Sequence, residues 1–265
     1  MTEVQGQRVS DLEAAPFDLA PRTEDSGSAA LCLHGLTGTP YEVRSVGEAL
    51  AEAGLRAVGP RLAGHGDTPE TLAATTQGEW VEGVRRAYEK IAAASDQVFV
   101  VGLSLGGLLS LDLAAHAPVA GVVAIGTPLA LRRPIPQLVP WVKRIMPMLP
   151  KRGGSDIRDP QARSRHPGFR VMPLWSVHEL VRLQAKVIRS LGQITAPALI
   201  AHGVHDHTAN PADAERIYQE IGSQERELLW LERSGHVVPV DYDGALLASR
   251  IVEFVIQNLS RPLSS

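Results

Sequence analysis

Apolar residues along this chain fall into two kinds of run, and the two kinds alternate. Leu31–His34, Leu55–Val58, Val98–Leu103, Gly121–Gly126, Pro197–His202 and Glu227–Leu231 are short, rich in Val, Ile and Leu, and bounded by Gly, Pro or polar residues. Runs of that length and composition predict buried strands. A further strand is expected near Phe17–Leu19, ahead of a turn or loop at residues 20–28. Between the strands, Tyr41–Ala53, Glu79–Ala94, Leu105–Ala115, Ala212–Ile221 and Gly244–Leu259 predict helices. In the last of these, Leu247, Ile251, Phe254 and Val255 recur at helical spacing. Strand and helix in turn predict an α/β fold with a mostly parallel central sheet flanked by helices.

One stretch breaks the rhythm. From Pro128 to Gly192 no strand pattern is visible, and prolines recur at 134, 136, 140, 147, 150, 160, 167 and 173. Two amphipathic pieces stand out, Gln137–Met148 and Leu174–Leu191. Structureless loops of that length are uncommon inside a compact domain. The expectation is therefore a small helical cap at 128–192, inserted after the fifth strand into a core made of 1–127 and 193–265.

Composition narrows the class. The chain has 265 residues and a net charge of −3, so the basic footprint of a nucleic-acid binder is missing. Cys32 is the only cysteine, which rules out an intrachain disulfide; it lies in an apolar run and reads as a core residue. A cytoplasmic location is expected. The first fifteen residues are polar and carry no apolar signal segment, and no run of about 18 apolar residues predicts an integral membrane segment. Oligomeric state is not legible.

The segment Val98-Phe99-Val100-Val101-Gly102-Leu103-Ser104-Leu105-Gly106-Gly107 carries the chemistry. It sets G-x-S-x-G between a strand and a helix, the context a nucleophile elbow requires. A serine needs a base within hydrogen-bond reach, and the base needs an orienting acid. On this fold the chain order is Ser, acid, His. His236 follows the last strand, and Asp206 follows the strand before it. Asp213 is the runner-up acid but reads as first-turn helix, while Asp241 and Asp243 read as helix caps. Two backbone N–H groups are expected to form an oxyanion hole: Leu105 after the nucleophile, and Leu36 in the loop His34-Gly35-Leu36-Thr37-Gly38-Thr39-Pro40.

These pieces resemble the bacterial carboxylesterases and monoacylglycerol lipases of the α/β-hydrolase superfamily. The matching segments are LHGLTGTP at 33–40, GHGDTPE at 64–70, GLSLGG at 102–107, HDHTANP at 205–211 and SGHVVPVD at 234–241. The resemblance implies an ester hydrolase with nucleophile Ser104, acid Asp206, base His236 and oxyanion donors Leu36 and Leu105. It also implies a cap that shapes the acyl pocket and a small-molecule ester as substrate. Gly35, Trp141 and Trp175 are candidate substrate contacts, with Met146, Met148, Leu149, Leu174, Val177, Leu180 and Val181 as further pocket candidates. GHGDTPE has no assigned role beyond a turn near the pocket.

Other readings compete. His202, His205, Asp206 and His207 form an H-x-x-H-D-H run that zinc could use. Its spacing departs from H-x-H-x-D-H, so neither metal nor cofactor is expected. The same fold also serves as a small-molecule receptor, which a complete triad disfavours. Lactones, thioesters, carbon–carbon bonds and perhydrolysis remain open to the same machinery. A dehalogenase would carry Asp where Ser104 stands.

Overall fold

Seven strands form one central sheet. This is a computed structural model, and it describes residues 14–131, 134–151 and 153–259. The reading of the first fifteen residues as free of a leader falls almost wholly outside them.

In chain order the elements are β1 (Phe17–Leu19), β2 (Ser28–Leu33), α1 (Tyr41–Glu52), β3 (Arg56–Gly59), α2 (Pro69–Ala74), α3 (Gln77–Ala92), β4 (Gln97–Leu103), α4 (Leu105–Ala114) and β5 (Gly121–Ile125). Then come α5 (Ile135–Ile145), β6 (Met148–Pro150), α6 (Pro160–Arg165), β7 (Val171–Pro173) and α7 (Leu174–Ser190). The chain closes with β8 (Ala198–Gly203), α8 (Pro211–Glu220), β9 (Arg226–Leu231) and α9 (Gly244–Asn258). The sheet order is β1-β3-β2-β4-β5-β8-β9; β1 runs antiparallel to β3, and the other pairings of this sheet are parallel.

Both faces of the sheet are covered, which is why its strands read as unbroken apolar runs. Ala29, Leu31, Leu33, Val98 and Val100 pack on one side with Trp80, Leu108 and Leu183. Their neighbours Ala30, Cys32, Phe99 and Val101 pack on the other with Val46, Leu50 and Ile251. Cys32 is the core residue its setting predicts, and burial pushes its thiol up to about 12.

The segment between β5 and β8 holds helices at both amphipathic pieces. It also contains an antiparallel pair, β6 with β7, where no strand pattern was legible. Each strand is three residues long and carries a proline, too little for a two-residue period to register. The GHGDTPE segment likewise yields a helix, α2, whose cap Thr68 accepts the Thr71 N–H at 3.2 Å ahead of Pro69. Among the described residues no helix is long and apolar enough to cross a membrane.

Candidate active site

The sheet delivers three loops to one edge. Ser104 stands between β4 and α4 with φ 55 and ψ −111, a left-handed backbone that a side chain tolerates only under constraint. Its N–H donates to Ile125 O at 2.8 Å, locking the turn to β5. A Cβ on Gly102 would overlap the Gly106 carbonyl, and one on Gly106 would overlap the carbonyl of Leu33. The two glycines of the motif therefore let strand and helix meet at the elbow.

His236 and Asp206 are brought together. His236 Nδ1 lies 2.7 Å from Asp206 Oδ2, and both side chains are buried. The other oxygen, Oδ1, accepts the N–H groups of Thr208 at 2.8 Å and Ala209 at 2.7 Å. His202 Nε2 lies 3.0 Å from Oδ2 on the buried side. Burial alone would raise the Asp206 pKa; the imidazoles of His236 and His202 outweigh it and hold the carboxyl well below the usual range. For His236, burial would lower the pKa, and the Asp206 carboxylate reverses that to a net rise. The main chain supports the ring as well: His236 N–H donates to Asp156 O at 2.9 Å.

The loop expected to carry an oxyanion donor is gripped from two sides. His34 Nε2 accepts the Leu62 N–H at 3.1 Å, leaving Nδ1 to donate to Gly35 O at 3.0 Å. Gly38 N–H closes the turn on Gly35 O at 3.2 Å, with Thr37 at φ 67. Among the described residues nothing accepts the Leu36 N–H. The Leu105 N–H opens α4, where an amide has no intrahelical partner.

Glu42 was not foreseen. It is buried in the first turn of α1, and its Oε2 accepts the Gly35 N–H at 2.7 Å. Its Oε1 lies 2.8 Å from Nε2 of His166, a residue of the inserted segment. The same segment sends Lys151 Nζ to Thr37 Oγ1 and the Phe169 N–H to Thr37 O at 2.9 Å. Burial would raise the Glu42 pKa, but the bonds to His166 and Gly35 and the nearby His34 pull it down to about 2. Glu42→Ala leaves the Gly35 N–H and the Nε2 side of the His166 ring without partners, at about 1–3 kcal/mol each. The expected result is a loss of at least about 2 kcal/mol in urea unfolding at pH 7. The Glu42 contribution is fully present above about pH 4.5 and fades as pH falls toward about 2, so the difference between variant and wild type narrows in acid.

Ser104, His236, Leu36 and Gly35 line one cavity of about 710 Å³. Leu103, Leu131, Met172, Val177 and Leu180 give it an apolar wall, and Lys151, Asp156, Arg158 and Arg163 a polar one. Gly35, Val177 and Leu180 are thus in the cavity as expected, while Trp141, Met146, Met148, Leu149, Leu174, Trp175 and Val181 are not. α5 buries Val139 and Lys143, four residues apart; Trp141 projects from the opposite side and is 69% exposed. Trp175 sits in a separate groove with Glu70, Ala73 and Met148, the Lys143 ammonium 3.7 Å from its ring centre.

The sequence profile of the Hydrolase_4 family, described as serine aminopeptidase S33, matches residues 26–243. The chain belongs to this family. Its relatives include the thermostable monoacylglycerol lipase of Bacillus sp. (strain H-257), 35% identical over 87% of this chain and 91% of that protein. The carboxylesterase of Bacillus subtilis (strain 168) is 30% identical over 86% and 92%. A solved structure from work on LipS and LipT, two metagenome-derived lipolytic enzymes, matches with TM-score 0.86 at 33% identity, covering 92% of this chain and 98% of that one. This Hydrolase_4 chain is a hydrolase with the α/β-hydrolase fold.

The remaining candidates of this family member separate cleanly. Asp213 points away from His236: its Oδ2 accepts the N–H groups of Leu129 at 3.0 Å and Ala130 at 3.3 Å, anchoring the start of the inserted segment. Asp243 stands at the N-cap of α9, as expected, but makes no side-chain cap bond there, and Asp241 lies outside the cap position. Asp243 Oδ2 instead accepts from Arg233 N–H and Ser234 Oγ, both at 2.8 Å. Asp241 accepts from Gly235 N–H at 2.8 Å, Arg158 N–H at 2.8 Å and Asp159 N–H at 2.9 Å, tying the histidine loop to the inserted segment. In the H-x-x-H-D-H run His202 is fully buried while the His207 side chain is 82% exposed, so the run does not converge on one point. His65 of GHGDTPE packs edge-on against His34, ring centres 4.9 Å apart, and contributes nothing to the cavity wall.

Proposed function

We propose that this chain is a serine carboxylic-ester hydrolase acting on short-to-medium acyl esters. The observation that carries the reading is the buried Asp206–His236 bond of 2.7 Å on the same cavity as a serine held at φ 55. Asp206 takes Nδ1–H, so the remaining ring nitrogen, Nε2, is the base. It accepts the Ser104 proton as Oγ bonds to the ester carbonyl carbon. The carbonyl oxygen becomes an oxyanion, and the Leu36 and Leu105 N–H groups stabilise it. Collapse breaks the bond to the alcohol oxygen, which leaves with the proton from His236. Water then attacks the acyl-enzyme, gives its proton to His236 and releases the acid, and the proton returns to Ser104.

The relatives named monoacylglycerol lipase and carboxylesterase support an ester as substrate. The apolar wall of Leu103, Leu131, Met172, Val177 and Leu180 suits an acyl chain. Cleavage of peptide N-termini, which the family's description would suggest, fits less well: on the cavity wall three cations, Lys151, Arg158 and Arg163, outnumber the carboxylates Glu42 and Asp156. The same reading takes residues 128–192 as a cap over a core of 1–127 and 193–265, and the cytoplasm as the location.

A fluorophosphonate ester tests it. The expected result is one added label by intact mass, mapped to the peptide containing Ser104, with loss of aryl-ester turnover in step. Full labelling elsewhere, or full turnover with Ser104 labelled, would overturn the proposal.

A further inference from the structure

We propose that the active-site cavity continues into a basic chamber that seats an anionic oxygen group, a phosphate or carboxylate, at the non-reacting end of an ester substrate. The inference rests on ester hydrolysis at Ser104. A second cavity of about 480 Å³ adjoins the first. The two share Lys151, Gly153, Gly154, Ser155 and Arg163 as wall. The second adds Arg170, His166 and Ser164, and among the described residues neither Asp nor Glu lines it.

Three cations, Lys151, Arg163 and Arg170, thus gather around one cavity in a chain whose net charge is −3. Several surface arginines elsewhere have carboxylate partners, such as Arg22 with Glu52, Arg56 with Asp18, Arg85 with Glu82 and Arg216 with Glu220, while Arg61, Arg144 and Arg189, on separate segments, have none among the described residues. Among the described residues no carboxylate lies within 4.0 Å of Lys151, Arg163 or Arg170. Neutral oxygens hold two of them instead. Arg163 Nε donates to Ile157 O at 2.7 Å, which fixes the guanidinium and leaves donors over for a ligand. Lys151 Nζ donates to Thr37 Oγ1 and has two more N–H groups.

Burial pushes the Lys151 pKa down, so an arriving anion would relieve a desolvated positive charge. Gly153 and Gly154, at φ 88 and 82, sit at the junction of the two cavities and put no side chain into it. Glu42 is ionised and acts on Lys151 through space, but its oxygens are held by His166 and Gly35 and it does not line the chamber.

Two matched pairs of esters test this at low salt. One compares 1-acylglycerol with 1-acylglycerol 3-phosphate, an anion on the alcohol side. The other compares 4-nitrophenyl hexanoate with mono-4-nitrophenyl adipate, an anion on the acyl side. Charge-assisted contacts predict a kcat/KM preference of about ten- to hundredfold for the anionic member of one pair. The pair that responds tells which end of the ester meets the chamber. The ratio within each variant is the readout. Arg170→Gln and Arg163→Gln should collapse it, and Arg170→Lys should keep most of it. Salt at about 0.5 M, where the Debye length falls to roughly 4 Å, should shrink it. Equal or slower cleavage of both anionic members, with the neutral ones turned over, overturns this inference alone. So does a preference that survives Arg163→Gln and Arg170→Gln together. No turnover of any of the four esters overturns the ester reading and this inference with it.

Discussion

Ser104→Ala is expected to lower kcat for an aryl ester by about 10⁵–10⁶-fold. The variant removes one oxygen atom and nothing that shapes the cavity. Alanine at φ 55 meets the same backbone constraint as serine, so the elbow keeps its geometry. Ligand affinity and the melting temperature should therefore stay close to wild type. What remains is an imidazole, two amides and a bound ester with no nucleophile between them. The measurement is a single-turnover assay beside far-ultraviolet circular dichroism and a thermal melt. Turnover within about tenfold of wild type in a folded variant would sink Ser104 as the nucleophile.

The parts of this site differ in how far the sequence exposes them, and the reason is range. Ser104 is legible because elbow geometry is local: the glycines at 102 and 106 stand two residues either side of the serine, and steric overlap demands them there. Asp206 and His236 were found from fold order, because a parallel sheet sends the loops after β8 and β9 to the same edge. The four inner strands β2, β4, β5 and β8 were legible for a related reason, since burial on both faces leaves no polar alternation to confuse the period.

Glu42 shows the opposite case. As the acid in the first turn of a helix it looks like an ordinary complement to the helix dipole. Its partner His166 lies 124 positions away, and no local pattern announces that contact. The clue was its place beside Val43 and Val46 on the buried side of α1. Trp141 failed for a comparable reason: helical spacing says that α5 has two faces but not which one meets the cavity. The basic chamber was equally hidden, because Lys151, Arg163 and Arg170 read as scattered surface charge until the β6–β7 pair brings 151 beside 170.

Asp206→Asn is expected to cost about 10⁴ in kcat while leaving the fold intact. The size of the loss follows from which way the new amide must face. Oδ1 of Asp206 accepts two backbone N–H groups, from Thr208 and Ala209. Only an oxygen can serve there, so the amide nitrogen of the substituted side chain is forced toward His236. Its N–H then donates to Nδ1, which must accept, and the ring proton moves to Nε2. An imidazole protonated at Nε2 cannot take a proton from Ser104. The variant also changes the pH profile in a stated direction. In wild type the Asp206 carboxylate raises the His236 pKa against burial, so the acid limb of kcat/KM lies above the ordinary histidine value of about 6.5. With a neutral amide, burial is no longer outweighed, and the limb moves to lower pH. A variant with near-wild-type kcat, or an acid limb that does not move down, would show that Asp206 neither orients nor charges the base.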